Sequence, residues 1–206
     1  MFITFEGIDA SGKTTQMRLL EKYLLKHKYD ILVTRQPGGT KIGQLIRGIL
    51  LDPENTQMDS VTEVLLYMAD RIQHLREIII PALKQGKIVF CDRYHDATLA
   101  YQGGGRQLDL SWLEPLQKKF VLVPDLTIWF DVSVEESQRR LNQRNLDQNV
   151  ENCRLESEDE TFFNRIRQGY QNLHDKEPHR FIKISAADDI EVIQQKILDI
   201  VLFRLK

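Results

Sequence analysis

The sequence predicts an α/β fold in which a five-stranded parallel sheet is flanked by helices on both faces. Short apolar runs alternate along the chain with long amphipathic stretches, which is the pattern of parallel strands joined by crossover helices. A glycine-rich segment directly follows the first apolar run and precedes an amphipathic stretch. The predicted strands are residues 2–6, 30–34, 87–91, 126–131 and 181–185.

The helices are predicted from apolar residues at helical spacing, which we expect to face the core. The helix after the first strand carries the stripe Met17, Leu20, Tyr23 and Leu24. Two long helices are expected between the second and third strands. Residues 61–83 of this region repeat, on one face, Val64, Leu65, Met68, Ile72 and Leu75. A last helix is expected after the start signal Asp188-Asp189.

Composition indicates one compact domain without a strong overall field. A chain of 206 residues with 42% hydrophobic side chains can bury a substantial core, so we expect a single domain over residues 1–206. The 28 basic and 30 acidic side chains leave a net charge of −2, which attracts neither nucleic acid nor an acidic membrane. We expect neither partner, and any site for an anion must be local.

Cysteine usage and the N-terminus indicate a cytoplasmic protein. Only Cys91 and Cys153 are present, which suits free thiols better than a secreted disulfide framework. Residues 1–5 lead straight into the glycine-rich segment without a basic stretch, so no targeting peptide is expected. No apolar run approaches the roughly 18 residues of a transmembrane helix.

One stretch is polar and lacks the patterns of a strand or helix. Residues 145–152 are polar, and Arg144 and Arg154 flank them. We interpret residues from about 144 to 156 as a short mobile lid within the single domain.

Residues 7–14 match the phosphate-binding P-loop pattern G-x-x-x-x-G-K-[ST] between a predicted strand and a helix. Glycines let the backbone N–H groups turn towards a phosphate, and the helix adds its positive N-terminal end. Lys13 is expected to reach the β- and γ-phosphates of a nucleoside triphosphate, and Thr14 to ligate Mg²⁺. The residues assigned to this nucleotide are Gly7, Ile8, Asp9, Ala10, Ser11, Gly12, Lys13, Thr14, Thr15 and, from the lid, Arg144.

The loop alone does not distinguish motors, GTP switches, ATPases and small-molecule kinases. The Asn-Lys-x-Asp guanine-recognition motif does not occur. The third predicted strand leads into Asp92, which fits a carboxylate near the metal ion. An aspartate that caps the next helix is the alternative interpretation of Asp92.

Arginines follow the predicted strands. Arg93 comes directly after Asp92, where a sheet of this class opens its ligand crevice, and is expected to face phosphates. Arg35 ends the second strand, and Arg47 lies on the next helix, which implies a second anion.

An aromatic ring and an arginine form a candidate base site. Tyr67 and Arg71 stand four residues apart on one helix face, so ring and guanidinium could address the same nucleobase. Taken singly, Tyr67 reads equally well as a core aromatic and Arg71 as a solvated charge.

Several stretches together resemble one family. They are residues 7–14, Arg35-Gln36-Pro37-Gly38-Gly39-Thr40 with Arg47, Tyr67-Met68-Ala69-Asp70-Arg71, Asp92-Arg93-Tyr94, and Ala100-Tyr101-Gln102-Gly103-Gly104-Gly105-Arg106. The C-terminal half contributes Arg154-Leu155-Glu156-Ser157-Glu158 and Phe162-Phe163, which are similar to a lid and the helix after it. On these residues the chain resembles the bacterial thymidylate kinases, which have the P-loop NTPase fold.

The resemblance implies transfer of the γ-phosphoryl group of ATP, with Mg²⁺, to dTMP, giving dTDP and ADP for dTTP synthesis. The residues that it assigns to dTMP are Asp9, Gln36, Pro37, Arg47, Tyr67, Arg71, Arg93, Thr98, Tyr101 and Gln102. By resemblance, Arg93 bridges both phosphates and Arg47 also holds the acceptor phosphate.

The nucleoside contacts are also implied by the resemblance. Tyr67 would stack on thymine, Arg71 would bond its carbonyl edge, and Thr98 and Gln102 fall where the family contacts the base. Asp9 would meet the sugar 3′-hydroxyl, and Tyr101 would crowd the 2′ position and exclude ribonucleotides.

Departures from the family concern the loop and the lid. Ala10 stands where one branch of the family has a catalytic arginine, so a lid arginine is expected to meet the transition-state charge. Arg154 is favoured over Arg144 because of the lid motif, although flap arginines that only solubilise a loop are the alternative. Gln36 replaces a glutamate, and Ala97, Cys153 and Ser185 replace Ser, Asp and Asp. Catalytic roles are expected for Lys13, Arg93, Arg154 and Asp9.

Two other functions stay open at this point. A kinase for another nucleoside monophosphate would share the fold, and an ATP-driven switch would hydrolyse ATP without any acceptor. Arg47, Arg71 and Arg93 speak against the switch, which does not need them. The family's homodimer would use the long helices between the second and third strands.

Overall fold

The computed structural model describes residues 1–205 and contains one five-stranded parallel sheet. Its strands are β1 (Phe2–Glu6), β2 (Ile31–Arg35), β3 (Ile88–Asp92), β4 (Leu126–Asp131) and β5 (Phe181–Ser185). The predicted strands are confirmed. β2 and β3 lie one residue further along the chain than predicted, and the other three have the predicted bounds.

The strand order β2-β3-β1-β4-β5 places β1 in the centre of the sheet. Every residue of β1 is buried, whereas the edge strands β2 and β5 are partly covered. The chain leaves β1 towards β2 on one side and leaves β3 towards β4 on the other. A crevice therefore opens at the carboxyl ends of β1 and β3.

Helices cover both faces of the sheet. Within residues 1–205 they are α1 (Lys13–Lys26), α2 (Lys41–Leu51), α3 (Ser60–His74), α4 (Ile80–Lys84), α5 (His95–Thr98), α6 (Leu110–Lys118), α7 (Val134–Gln148), α8 (Glu160–Lys176) and α9 (Ile190–Arg204). Two π-helical segments, Leu75–Ile79 and Leu99–Gly105, continue α3 into α4 and extend α5. No helix in this part of the chain has the length and apolar character needed to cross a membrane.

The two faces of the sheet carry separate apolar cores because successive side chains of a strand point to opposite sides. Ile3 and Phe5 of β1 belong to the larger core, which also takes the apolar faces of α1, α8 and α9. Phe2 belongs to a smaller core with Val89 and Ile79. The free thiols of Cys91 and Cys153 are confirmed.

The predicted stripe of α1 is confirmed, and that of α3 is partly wrong. Met17, Leu20 and Leu24 are buried in the larger core, and Tyr23 packs against it. On α3, Val64 faces inwards but Leu65 is 51% exposed. Helix α2 packs on α3, and together they expose the apolar side chains of Ile42, Leu45, Ile49, Val61 and Leu65.

Helix α8 packs against the second π-helical segment, Leu99–Gly105 (hereafter the π-helical segment), so closely that the two backbones are in contact. A Cβ atom on Gly104 would come within 2.9 Å of the carbonyl oxygen of Arg165, so no other residue fits without moving α8. This approach fixes the segment that carries Tyr101 and Gln102.

The irregular stretch predicted at residues 145–152 is wrong in its first half. Residues 145–148 form the last turn of α7, and Asn149, the residue after the helix, has a φ of 50°. Ser133 caps the start of this helix, and Glu136 pairs with Arg139 and Arg140 along its side. The helix has few apolar residues, which is why hydrophobic periodicity did not reveal it.

Glu6 ties the centre of the sheet to its surroundings. Its carboxylate accepts hydrogen bonds from the backbone N–H of Tyr94 at 2.7 Å and from the hydroxyl of Tyr170 at 2.8 Å. Burial, together with the nearby charge of Asp96, raises the pKa of Glu6 to about 7. Glu6 therefore links β1, the turn after β3 and α8 at the cost of a buried acid.

We predict that Glu6→Gln changes the pH dependence of stability. Between pH 4.5 and about 7 the folded chain binds more protons at Glu6 than the unfolded chain, so this contribution is lost as pH rises. The amide has no such titration and can still bond both partners. Relative to the native chain, the variant should gain roughly 3 kcal/mol of unfolding free energy across this window, measured by denaturant unfolding.

The matched control is Glu63→Gln on α3. Glu63 is also buried, but the hydrogen bond from Gln102 and the charges of Arg106 and Arg154 outweigh burial and lower its pKa. Its contribution is therefore lost only as pH falls below the usual range of a glutamate, and the difference from the native chain should be flat from pH 5 to 8. A flat profile for Glu6→Gln would contradict the buried acid.

Candidate active site

A cavity of about 520 Å³ occupies the crevice at the carboxyl ends of β1, β2 and β3. Most residues expected at the site line it. They are Asp9, Ala10, Ser11, Gly12, Lys13, Thr14, Thr15, Gln36, Pro37, Arg47, Tyr67, Arg71, Asp92, Arg93, Thr98, Tyr101, Gln102 and Arg144. Three expected residues, Gly7, Ile8 and Arg154, do not line it.

The loop of residues 7–14 wraps around the side chain of Lys13. The Lys13 ammonium donates to the carbonyls of Gly7 at 3.1 Å and Ile8 at 2.8 Å. Burial, helped by the charge of Arg93, lowers the pKa of Lys13 to about 8. Gly7 and Ile8 therefore hold the lysine through their carbonyl groups without lining the cavity. The loop residues from Asp9 onward line the cavity.

Thr14 and Asp92 meet across the first and third strands. The Thr14 hydroxyl donates to Asp92 Oδ2 at 3.1 Å, because β1 and β3 pair in parallel and end at the same level. Among residues 1–205 no group of three or more His, Cys, Asp or Glu side chains is arranged to hold a metal. This part of the cavity therefore offers a cation two oxygen ligands, the Thr14 hydroxyl and the Asp92 carboxylate.

Arg93 is held in an unusual backbone conformation. Its φ is 64°, which is rare for a residue with a side chain and often marks a functional position. Its guanidinium donates to Gly7 O and to Asp9 Oδ1, both at 2.8 Å, and lies 4.9 Å from the ring centre of Tyr101. Arg93 thus stands between the loop and the rest of the cavity.

The Asp9–Arg93 ion pair is largely shielded from solvent. Burial would raise the pKa of Asp9, but the charges of Arg93 and Lys13 outweigh it and lower the pKa. Burial alone would lower the pKa of Arg93, yet its neighbours, Tyr101 first, raise it well above the usual value. Both groups stay charged near neutral pH.

Arg71 is a buried donor with most of its hydrogens in use. Its guanidinium donates to Gln36 Oε1 at 3.1 Å, to Gln117 Oε1 and Thr98 Oγ1 at 2.7 Å, and to Tyr94 O at 3.2 Å. These contacts use four of the five N–H groups of a guanidinium. One N–H remains without a partner among the described residues, and Arg71 lines the cavity.

Gln36 offers a second free donor. Because arginine only donates, the contact from Arg71 fixes Oε1 on that side and turns Nε2 the other way. In the part of the chain that the structure describes, this buried Nε2 has no partner. An amide nitrogen cannot ligate a metal, so a metal role for residue 36 does not fit.

The turn after β2 is fixed from two helices. Asp70 of α3 accepts from the backbone N–H of Gly38 at 2.9 Å, and Arg47 of α2 donates to Pro37 O at 3.0 Å. Gly38 has a φ of 100°, and a Cβ there would come within 2.8 Å of the Arg47 side chain. The Arg47 side chain therefore packs against this turn and lines the cavity.

Two tyrosine rings complete the far side. Tyr67 of α3 and Tyr101 of the π-helical segment both line the cavity, and burial raises the pKa of each phenol. Both rings are therefore neutral at physiological pH.

The two lid arginines have different surroundings. Arg144 lines the cavity and donates to Glu156 at 2.8 Å. Arg154 is buried, donating to Leu50 O at 2.9 Å and to Glu63 at 2.6 Å. Arg154 therefore does not face the cavity in this structure, because Glu63 binds it beneath the cavity.

Sequence reasoning missed several residues at or under the cavity. They are Glu6, Leu51, Glu63, Asp70 as a turn anchor, Tyr94, Leu155 and Glu156. Glu6 and Glu63 gave one signal, since each is an acid within an otherwise apolar pattern.

Comparison with known proteins gives a consistent result. The thymidylate kinase family model matches residues 5–197. A thymidylate kinase of an Exiguobacterium species is 44% identical over 209 residues, covering 100% of this chain and 96% of that protein. Another, from Desulfosudis oleivorans, is 46% identical over 90% of this chain and 89% of that protein.

A solved structure agrees in fold. The crystal structure of thymidylate kinase from Ehrlichia chaffeensis matches with a TM-score of 0.79 and 36% identity, covering 98% of each chain. The family match, the full-length relatives and the shared fold lead to one conclusion: this chain belongs to the thymidylate kinase family.

Proposed function

We propose that the chain transfers the γ-phosphoryl group of ATP to the 5′-phosphate of dTMP, giving dTDP and ADP. The observation that carries the proposal is the position of Arg93. It binds the loop of residues 7–14 and faces the same cavity as Tyr67, Arg71 and Gln102. One cavity thus offers a place for donor phosphates next to a place for a nucleotide acceptor.

ATP would bind with its phosphates in the loop. The N–H groups of residues 9–15 and the start of α1 supply partial positive charge, and Lys13 supplies a full one. The Lys13 contacts with loop carbonyls would be exchanged for phosphate oxygens. An adjacent phosphate would restore the pKa that burial lowers.

Mg²⁺ would be held by the Thr14 hydroxyl and the Asp92 carboxylate. Both are oxygen donors, and Mg²⁺ commonly takes one or two protein oxygens with the rest from water and phosphates. When bound, the ion would neutralise charge on the transferring phosphoryl group.

The dTMP base would lie against Tyr67. Arg71 can donate its remaining N–H to a carbonyl of the base, and Thr98 fixes the Arg71 guanidinium in place. Gln102 would face the base edge. Asp9 would receive the 3′-hydroxyl, and the Tyr101 ring would crowd the 2′ position.

The acceptor phosphate would meet Arg93, Arg47 and the free Nε2 of Gln36. A phosphate monoester is already anionic near neutral pH, so the acceptor needs no general base. Catalysis would rest on positioning and on charge neutralisation. Arg93, with donors on both sides, would bridge the acceptor and transferring phosphates.

Arg144 would supply the lid charge that Ala10 does not. It lines the cavity and is held by Glu156, whereas Arg154 is fixed beneath it. Arg154 would then support the lid base. This assignment exchanges the roles expected from the lid motif.

The remaining features concern assembly. The exposed apolar face of α2 and α3 suits a homodimer interface, because monomers rarely leave such contiguous faces uncovered. We further propose one domain over residues 1–206, a lid at about 144–156 and a cytoplasmic location.

The acceptor panel tests the function directly. We expect dTMP to have the highest kcat/KM among dTMP, dUMP, dCMP and AMP with ATP and Mg²⁺, in a coupled ADP assay. A different best acceptor would overturn the assignment of Tyr67 and Arg71. ATP hydrolysis that is independent of any acceptor would instead indicate a switch.

Arg93→Ala should lower kcat by at least about 100-fold, because it removes a charge shared by both phosphates. Steady-state kinetics with dTMP measure the effect. Arg139→Ala is the control, since Arg139 is exposed on α7 and, within residues 1–205, forms an ion pair only with Glu136. Near-normal turnover of Arg93→Ala would contradict the bridging role.

Arg144→Ala should lower kcat by about 100-fold while the KM for dTMP changes little, because the charge acts in the transition state. Arg154→Ala provides the comparison and should mainly lower the melting temperature, since it removes one of the two arginines that pair with the buried Glu63. A kcat loss confined to Arg154→Ala would reverse the two roles.

A further inference from the structure

Glu63 is a buried carboxylate that touches the site without lining it. It lies on α3 one turn before Tyr67, and its side chain is 1% exposed. The carboxylate accepts from Gln102 Nε2 at 2.7 Å, from Arg154 at 2.6 Å and from Arg106 at 3.2 Å. It thus joins α3, the π-helical segment and the base of the lid.

The charges around Glu63 keep it an acceptor. Arg154 and Arg106 both pair with it, and Arg106 also pairs with Glu158 at 2.5 Å. Two cations and two anions therefore balance beneath the cavity. An ionised carboxylate has lone pairs only, so every neighbour must donate to it.

This requirement fixes the amide of Gln102. The nitrogen, which donates, must face Glu63, and the oxygen must face the other way. Gln102 lines the cavity, and its Oε1 accepts no hydrogen bond within residues 1–205. The amide therefore presents an acceptor, and not a donor, to a bound base.

We infer that Glu63 is a positioning residue for acceptor choice, which selects a pyrimidine with a protonated N3 by holding the Gln102 amide with Oε1 towards the base. The inference rests on the proposed function. Thymine and uracil carry an N3–H that can donate to Oε1. Cytosine has a lone pair at N3, so two acceptors would face each other, which disfavours it.

Arg154 helps to fix the Glu63 carboxylate in this orientation. Its contacts with Leu50 O and Glu63 join the lid base to the carboxylate that orients Gln102. The second Glu63 oxygen is thereby held, and the carboxylate cannot turn away from the amide.

Glu63→Gln tests the inference, because an amide at this position can both donate and accept and no longer dictates the orientation of Gln102. The KM of dTMP and the Ki of dCMP against dTMP phosphorylation are measured on the full chain. We expect the ratio of dCMP Ki to dTMP KM to fall about tenfold, with dUMP following dTMP and the KM for ATP unchanged.

Glu158→Gln is the matched control. It makes the same chemical change at Glu158, the second carboxylate that pairs with Arg106. Glu158 contacts neither Gln102 nor the cavity. It should leave the ratio at the native value. An equal fall in the ratio for Glu158→Gln would overturn the inference.

A double-mutant cycle shows whether Glu63 acts through Gln102. Gln102→Leu should lower the ratio by itself, and Glu63→Gln should lower it no further in that background. Independent, additive losses would contradict the positioning role, as would a Glu63→Gln variant that is less stable but keeps the native ratio.

A charge-balanced variant guards against misfolding. Glu63→Gln with Arg106→Gln removes one anion and one cation together, and Arg106→Gln alone is its control. The double variant should show the lowered ratio, and an unchanged ratio would overturn the inference. If the native chain itself does not prefer dTMP to dCMP, the proposed function fails, whereas a native preference untouched by Glu63 defeats only this inference.

Discussion

The site depends on the parallel pairing of β1 with β3, which ends two chain segments at the same level. Arg93 N donates to Phe5 O at 3.0 Å, and the Tyr94 N–H donates to Glu6, so the turn after β3 is fixed to the end of β1. That contact supports the positive φ of Arg93 and aims its guanidinium at the loop. Lys13 of the loop and Arg93, the residue after β3, therefore share one cavity because of the register between β1 and β3.

Burying cations next to one another is costly, and the chain offsets the cost with internal partners. Lys13 donates to loop carbonyls, Arg93 pairs with Asp9, and Arg154 pairs with Glu63. Phosphate oxygens can take the place of the first two partners, so ligand binding would exchange one set of acceptors for another. The Glu63 pair is sealed beneath the cavity, and we assign it to orientation.

Sequence patterns predicted the sheet well because buried parallel strands are short apolar runs with clear ends. They predicted α1 and its stripe for the same reason. They missed α6, which is short and contains Pro115, and α7, whose apolar residues are sparse. They also placed Leu65 in the core although it faces outwards with α2. The cavity residues were largely foreseen from the loop motif and the family resemblance. The partners of Glu63 and the burial of Arg154 were not, because they join segments up to 104 positions apart.

The central claim is that Arg93 exchanges its loop partners for two phosphates. A crystal structure of the chain with dTMP, Mg²⁺ and a non-hydrolysable ATP analogue tests it most directly. We predict that the Arg93 guanidinium lies within hydrogen-bonding distance of both the dTMP phosphate and the γ-phosphate, with Asp9 released to the sugar. An Arg93 that still binds Asp9 and touches neither phosphate would contradict it.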